Sequence, residues 1–188
     1  EANALSQYAI DAGLRSVYLS RTLKIFIAEG SLNASGLVQF IARSPFVERD
    51  ILEIVAVGAE RYFGGDYVSA IHVLVPKLEE LLRRTIGKLG VSTTSQSPDG
   101  FTREKPLEQV LETAQLVTLL GNQRVFYYQY MLGHQLGENL RNDVAHGLLT
   151  KDRCTRELTE QVIYLYVLLV PFEKKQPTQD QETGKSSS

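Results

Sequence analysis

Cysteine is nearly absent from the chain. The single Cys154 among 188 residues cannot close an internal disulfide and leaves no cysteine-rich zinc site. No obvious base stands beside it in sequence, so it reads as a small half-buried residue near a helix start rather than a nucleophile. Histidine is scarce too. His72, His134 and His146 are far apart, which argues against a histidine-based metal site, and no cofactor is expected. No apolar run reaches the ~18 residues that a bilayer span needs, and no signal peptide is visible, so no membrane partner is expected and the default setting is reducing and cytoplasmic. Excess charge of either sign is also missing. A formal −2 offers no general attraction for nucleic acid, so any RNA footprint must be local. Phosphate-loop and H-E-x-x-H motifs, strand alternation and internal repeats are all wanting.

What remains is helical periodicity. With 43% hydrophobic residues, the chain can bury the core of one domain with some appended helices. Ala4 to Ala28 has apolar residues at helical intervals, with a candidate interruption at Gly13. Leu37 to Ile41 reads as a short helix ending at Ser44-Pro45, and Glu48 to Phe63 as an amphipathic one. Asp66 is a fitting N-cap for a long helix from Tyr67 to about Lys88, in which Pro76 removes one backbone bond and predicts a kink or restart. Gly90 to Arg103 is polar and rich in breakers, hence a mobile loop. Further helices are expected from Pro106 to Leu120, over Arg124 to Leu136, and from Thr150 or Asp152 to Val170. The expected organisation is residues 1–64 as N-terminal helices, either an extension or part of the bundle, 65–171 as the main bundle, and 172–188 as a disordered tail. The chain opens on Glu1 rather than methionine, so an upstream segment is expected.

Reactive side chains crowd together only in Leu140-Arg141-Asn142-Asp143-Val144-Ala145-His146-Gly147. Histidine titrates near neutral pH and moves protons, while arginine is a permanent cation shaped to grip phosphate. On a helix, Asn142 and His146 lie one above the other, but Arg141 sits about 140° away from His146. Either the arginine stem reaches round, or a second copy of one group comes from a partner chain. Gly147 suits a left-handed residue past the helix end, leaving His146 in the last turn, where the helix dipole favours imidazolium. On the long helix, Glu79 and Arg83 each fall within about 20° of His72, a narrow polar line beside the apolar stripe. Glu79 and Arg83 form either a plain surface ion pair or a brace that orients Arg83 or His146 across a cleft.

The string R-N-x-x-x-H-G resembles the R-x(4-6)-H signature of the HEPN superfamily (higher eukaryotes and prokaryotes nucleotide-binding), and particularly a branch, a domain of unknown function, with an RNxxxHG motif. Ala70 to Arg83 is similar to the Leu-Glu-x-x-Leu-Arg helix of that branch, and the likeness spans roughly residues 66 to 171. It implies an all-α, up-and-down helical bundle, HEPN-like, with extra N-terminal helices, pairing as a homodimer. It also implies a metal-independent endoribonuclease in a defence or toxin context, cutting single-stranded RNA by attack of the 2′-hydroxyl. Arg141 and His146 would be its catalytic pair, with Asn142 orienting His146 and Asp143 fixing the arginine or facing solvent. The superfamily's better-known nucleases often carry a tyrosine soon after the histidine, where this chain has Gly147-Leu148, so no role for such a tyrosine carries over. The competing expectation is an inactive helical module that dimerises or docks RNA or a protein, with Arg141 and His146 structural; a toxin-type protein silenced by a regulatory partner is a third. The aromatic run Phe126, Tyr127, Tyr128 and Tyr130 fits core or subunit packing better than base stacking, although Tyr127, Tyr130 and His134 are spaced to line a cleft.

Overall fold

The computed structural model describes residues 2–97 and 99–170. The expected tail over 172–188 and the stop at Pro171 lie outside the described residues. Its centre is α4 (Tyr67–Lys88), whose apolar positions recur so closely that Ile71, Leu74, Leu78, Leu81, Leu82 and Ile86 are all fully buried. The Asp66 side chain caps it, accepting from the Ser69 amide at 3.1 Å. The helix runs through Pro76 without a restart.

Four helices precede or include this centre: α1 (Ala2–Ala28), α2 (Ala34–Ile41), α3 (Arg49–Phe63) and α4 itself. Leu37 and Ile41 of α2 and Ile51, Val55 and Tyr62 of α3 lie in the same apolar cluster as α4, so the core is continuous across residue 64. At the α3–α4 crossing, Gly58 lets the helices approach until an added Cβ would lie 2.5 Å from Leu74 Cδ2. The helix α1 continues through Gly13 without the interruption expected there. Its period names a face but not a neighbour: Leu14, Val17, Tyr18, Ile25 and Phe26 are exposed, and α1 packs on the helix over Arg156–Val167.

After α4 the chain departs from expectation. Residues within Gly90 to Arg103 form most of an antiparallel hairpin, β1 (Thr94–Gln96) with β2 (Thr102–Glu104), paired Thr94 with Glu104, Ser95 with Arg103 and Gln96 with Thr102. The expected helix from Pro106 to Leu120 is two: α5 (Leu107–Leu111) and α6 (Ala114–Leu120). Next come α7 (Asn122–Leu132), which stops at Gly133 short of Leu136, and α8 (Leu140–Ala145). A single 3-10 turn over Lys151–Arg153 delays α9 (Arg156–Val167), so the cap is Thr155, accepting from the Leu158 amide at 3.1 Å, and not Thr150 or Asp152. The tyrosines tie this half to the core. Tyr128 and Tyr166 are fully buried, donating to the Leu165 carbonyl at 2.5 Å and the Leu74 carbonyl at 2.6 Å. Apart from the short hairpin the architecture is an all-α helical bundle, and no described helix is long and apolar enough to cross a membrane.

Candidate functional site

The site forms where α8 meets α4, and its entry is built on two tight backbone positions. At Gly137 an added Cβ would come 2.1 Å from the Tyr130 carbonyl oxygen, which also accepts from the Glu138 amide at 2.9 Å. Asn139 then adopts φ +51°, in the left-handed region that asparagine tolerates better than most residues. Its side chain accepts from Asn142 Nδ2 at 2.7 Å, which ties the first turn of α8 to the strained residue. Leu140 is fully buried and anchors the helix to the core.

That anchoring sets Arg141 against α4. Its Nε donates to Glu79 Oε2 at 2.7 Å, Nη2 to Glu79 Oε1 at 3.4 Å, and Nη1 to Asn142 Oδ1 at 3.0 Å. Glu79 Oε1 is also held by Arg83, through Nη2 at 2.7 Å and Nε at 3.1 Å. Arg83 turns its remaining edge to the hairpin, donating Nη1 to Glu104 Oε2 at 3.1 Å and to the Lys105 carbonyl at 2.9 Å. One carboxylate therefore serves two guanidinium groups, one from its own helix and one from a segment 62 residues away. Burial opposes the charge on Glu79, but the bonds from Arg141 and Arg83 outweigh it and hold its carboxyl below the ordinary range. The same bonds raise Arg141 further above neutrality, against its partial burial. With 34% of its side chain exposed, Arg141 keeps a solvent-facing edge.

Comparisons with family models, with curated proteins and with solved structures found no match. The remaining expected residues are therefore placed by geometry alone. His146 is the C-cap of α8, with Gly147 behind it at φ +68°, and its exposed imidazole has no hydrogen-bond partner among the described residues. Asn142 does not orient it through a side-chain bond, because that side chain is spent on Arg141 and Asn139; only its carbonyl accepts the His146 amide, at 3.0 Å. Asp143 does not fix Arg141 either. It pairs with Arg153, whose Nη2 also donates to the Glu138 carbonyl at 2.9 Å, closing the loop around α8. His72 stands apart from the cluster, exposed, with Nδ1 against the Val68 carbonyl at 2.8 Å. Thus Glu79, Arg83, Arg141 and Asn142 come together, whereas His72 does not and His146 faces solvent from the far end of its helix. In the aromatic run, Tyr127 and Tyr128 are buried, and Tyr127 turns toward Gln161 of α9, its hydroxyl 3.4 Å from Oε1.

Asn139, Arg153, Glu104 and Glu138 escaped the sequence reading. A left-handed asparagine before a helix leaves a faint trace in sequence, the Gly137 two residues upstream. The Asp143–Arg153 pair leaves none, because it spans ten residues across a 3-10 turn with no fixed period.

Proposed function

We propose that this protein is a metal-independent endoribonuclease of the HEPN type, whose working site assembles between two copies of the chain in the cytoplasm. The observation that carries the reading is the contrast at α8: a guanidinium held by Glu79 and still partly exposed, and an exposed imidazole with no hydrogen-bond partner among the described residues. On an ideal helix the two positions lie about 140° apart, which directs their side chains away from a single phosphate within one protomer. A twofold axis beside α8 would bring the imidazole of each copy toward the arginine of the other.

Cleavage at such a site needs no metal. One imidazole takes the proton from the RNA 2′-hydroxyl, whose oxygen attacks the adjacent phosphorus. The 5′-oxygen leaves with a proton from water while the imidazolium returns its own to solvent, giving a 2′,3′-cyclic phosphate and a 5′-hydroxyl. Arg141 binds the non-bridging oxygens and stabilises the charge that gathers on them. Glu79 is a positioning residue, since it limits the rotamers of Arg141. In EDTA, wild-type protein is expected to cut single-stranded RNA and to spare DNA, which lacks the attacking hydroxyl. His146→Ala should lower the rate by about 10² to 10⁴ while helicity and self-association persist. Unchanged cleavage by this variant would refute the assignment.

The bonds of Arg141 favour one other reading. Three donated bonds make it a strut between α8 and α4, as an inactive docking module would require. Wild-type protein that cuts no RNA but self-associates through α8 would establish that reading instead.

A further inference from the structure

Glu108 lies in the first turn of α5, just after the Lys105 carbonyl that receives Arg83. Leu107, Val110 and Leu111 are buried and pin this short helix, which leaves Glu108 on its exposed side. Both α5 and α8 pack on α4 and α7, so the two short helices border one crease. There the Glu108 carboxylate lies over the bare backbone of Gly133, where an added Cβ would stand 2.8 Å from Oε1. The Gly133 φ of −135° is outside the left-handed region, so what its missing side chain allows is this close approach. Glu108 makes no hydrogen bond or ion pair with any described residue. Bonds from Glu79 do most to hold the Arg141 proton, and the nearby charge of Glu108 adds to them.

We propose that Glu108 sets which phosphates Arg141 accepts, favouring an internal phosphodiester over a terminal phosphomonoester. The inference rests on Arg141 as the phosphate-binding group of the proposed site. Charge carries the argument. Two cations, Arg83 and Arg141, stand with three carboxylates, Glu79, Glu104 and Glu108, which leaves one negative charge in excess. Lys105 does not redress the balance, because its ammonium turns to the Ser92 carbonyl at 2.8 Å. Glu79 and Glu104 are spent on bonds to the arginines, whereas the charge of Glu108 is not and acts on whatever approaches.

Repulsion grows in proportion to the charge of the ligand. A phosphodiester inside a strand carries one negative charge, whereas a terminal phosphate carries nearly two above its second pKa of about 6. Glu108 therefore opposes a strand end about twice as strongly as an internal linkage, which is the preference an endonuclease needs. Solvent screening keeps the effect modest, since Glu108 is exposed.

The test uses two probes that lack the 2′-hydroxyl and so are not cut: the thymidylyl-thymidine dinucleotide, with one internal diester, and thymidine 3′-monophosphate. Each is titrated into the whole chain at about pH 8, where the monoester is a dianion, and binding is followed by NMR through the amides of α8. Glu108→Gln, which keeps the shape and removes the charge, should tighten the diester about twofold and the monoester about fourfold. In an Arg141→Gln background the same change should tighten neither, because the group that holds the phosphate is gone. Equal gains for the two probes, no gain, or no binding by wild type and Glu108→Gln alike overturns the proposal. The nuclease reading is judged separately by RNA cleavage: unequal gains in a protein that never cuts RNA sink that reading alone, and equal gains in an active nuclease sink the role of Glu108 alone.

Discussion

Glu79 is the residue on which the arrangement turns. Its carboxylate satisfies two cations at once, and its side chain is only 16% exposed, so removing it takes the shared acceptor from Arg83, 15% exposed, and from the more open Arg141. Glu79→Ala should cost about 2–3 kcal/mol in chemical denaturation, because breaking one side of a partly buried pair leaves the other uncompensated. Its acid response follows from the direction of its shift. A carboxyl depressed below the ordinary 4.5 contributes stability that is fully present above that pH and is lost as pH falls through the lower folded value. Wild type should therefore lose stability below about pH 4.5 more steeply than Glu79→Gln, whose acid limb should be flatter. Parallel limbs for the two proteins would show that Glu79 is not held in its charged form. That Glu79 and Arg83 would pair was legible from their spacing of four. Arg141 as the second partner was not, because nothing local links residues 79 and 141.

At the scale of elements, legibility followed period and punctuation. The helices α3 and α4 were readable because long apolar stripes are bounded by Gly64-Gly65 and by the Asp66 cap. The hairpin was not, since its three-residue strands pair polar side chains alone and carry no apolar alternation. Such a ribbon is marginal by itself; here Arg83 grips its base at Glu104 and Lys105. The exposed face of α1 failed for another reason, as period tells which residues share a face but not whether anything covers it. Two glycines test how the elements are joined. Gly58→Ala should destabilise the bundle by about 1–3 kcal/mol, because Leu74, 1% exposed, has little room to give at the α3–α4 crossing. Gly137→Ala meets backbone rather than a side chain, so it should shift the turn that sets α8. Amide exchange over residues 137–146 should then rise by more than exchange in α4, whereas uniform change would mean that the turn does not position α8 separately.

The whole molecule poses the question of what two copies do that one cannot. A single chain presents its arginine to α4 and its histidine to solvent, and its net charge of −2 supplies no long-range pull on RNA. Association of two copies should therefore precede cleavage, so specific activity should rise with protein concentration along the same curve as the dimer fraction in sedimentation. Activity that stays constant per chain while the protein remains monomeric would place the whole site in one protomer. The most direct measurement mixes two inactive variants, Arg141→Gln and His146→Ala, and assays RNA cleavage in EDTA. If each site takes its arginine from one copy and a histidine from the other, half of the dimers are mixed and each has one complete pair. Cleavage should then return to about a quarter of the wild-type rate if one such pair suffices. A mixture that exchanges subunits yet stays as inactive as its parts, beside an active wild type, would contradict the composite site.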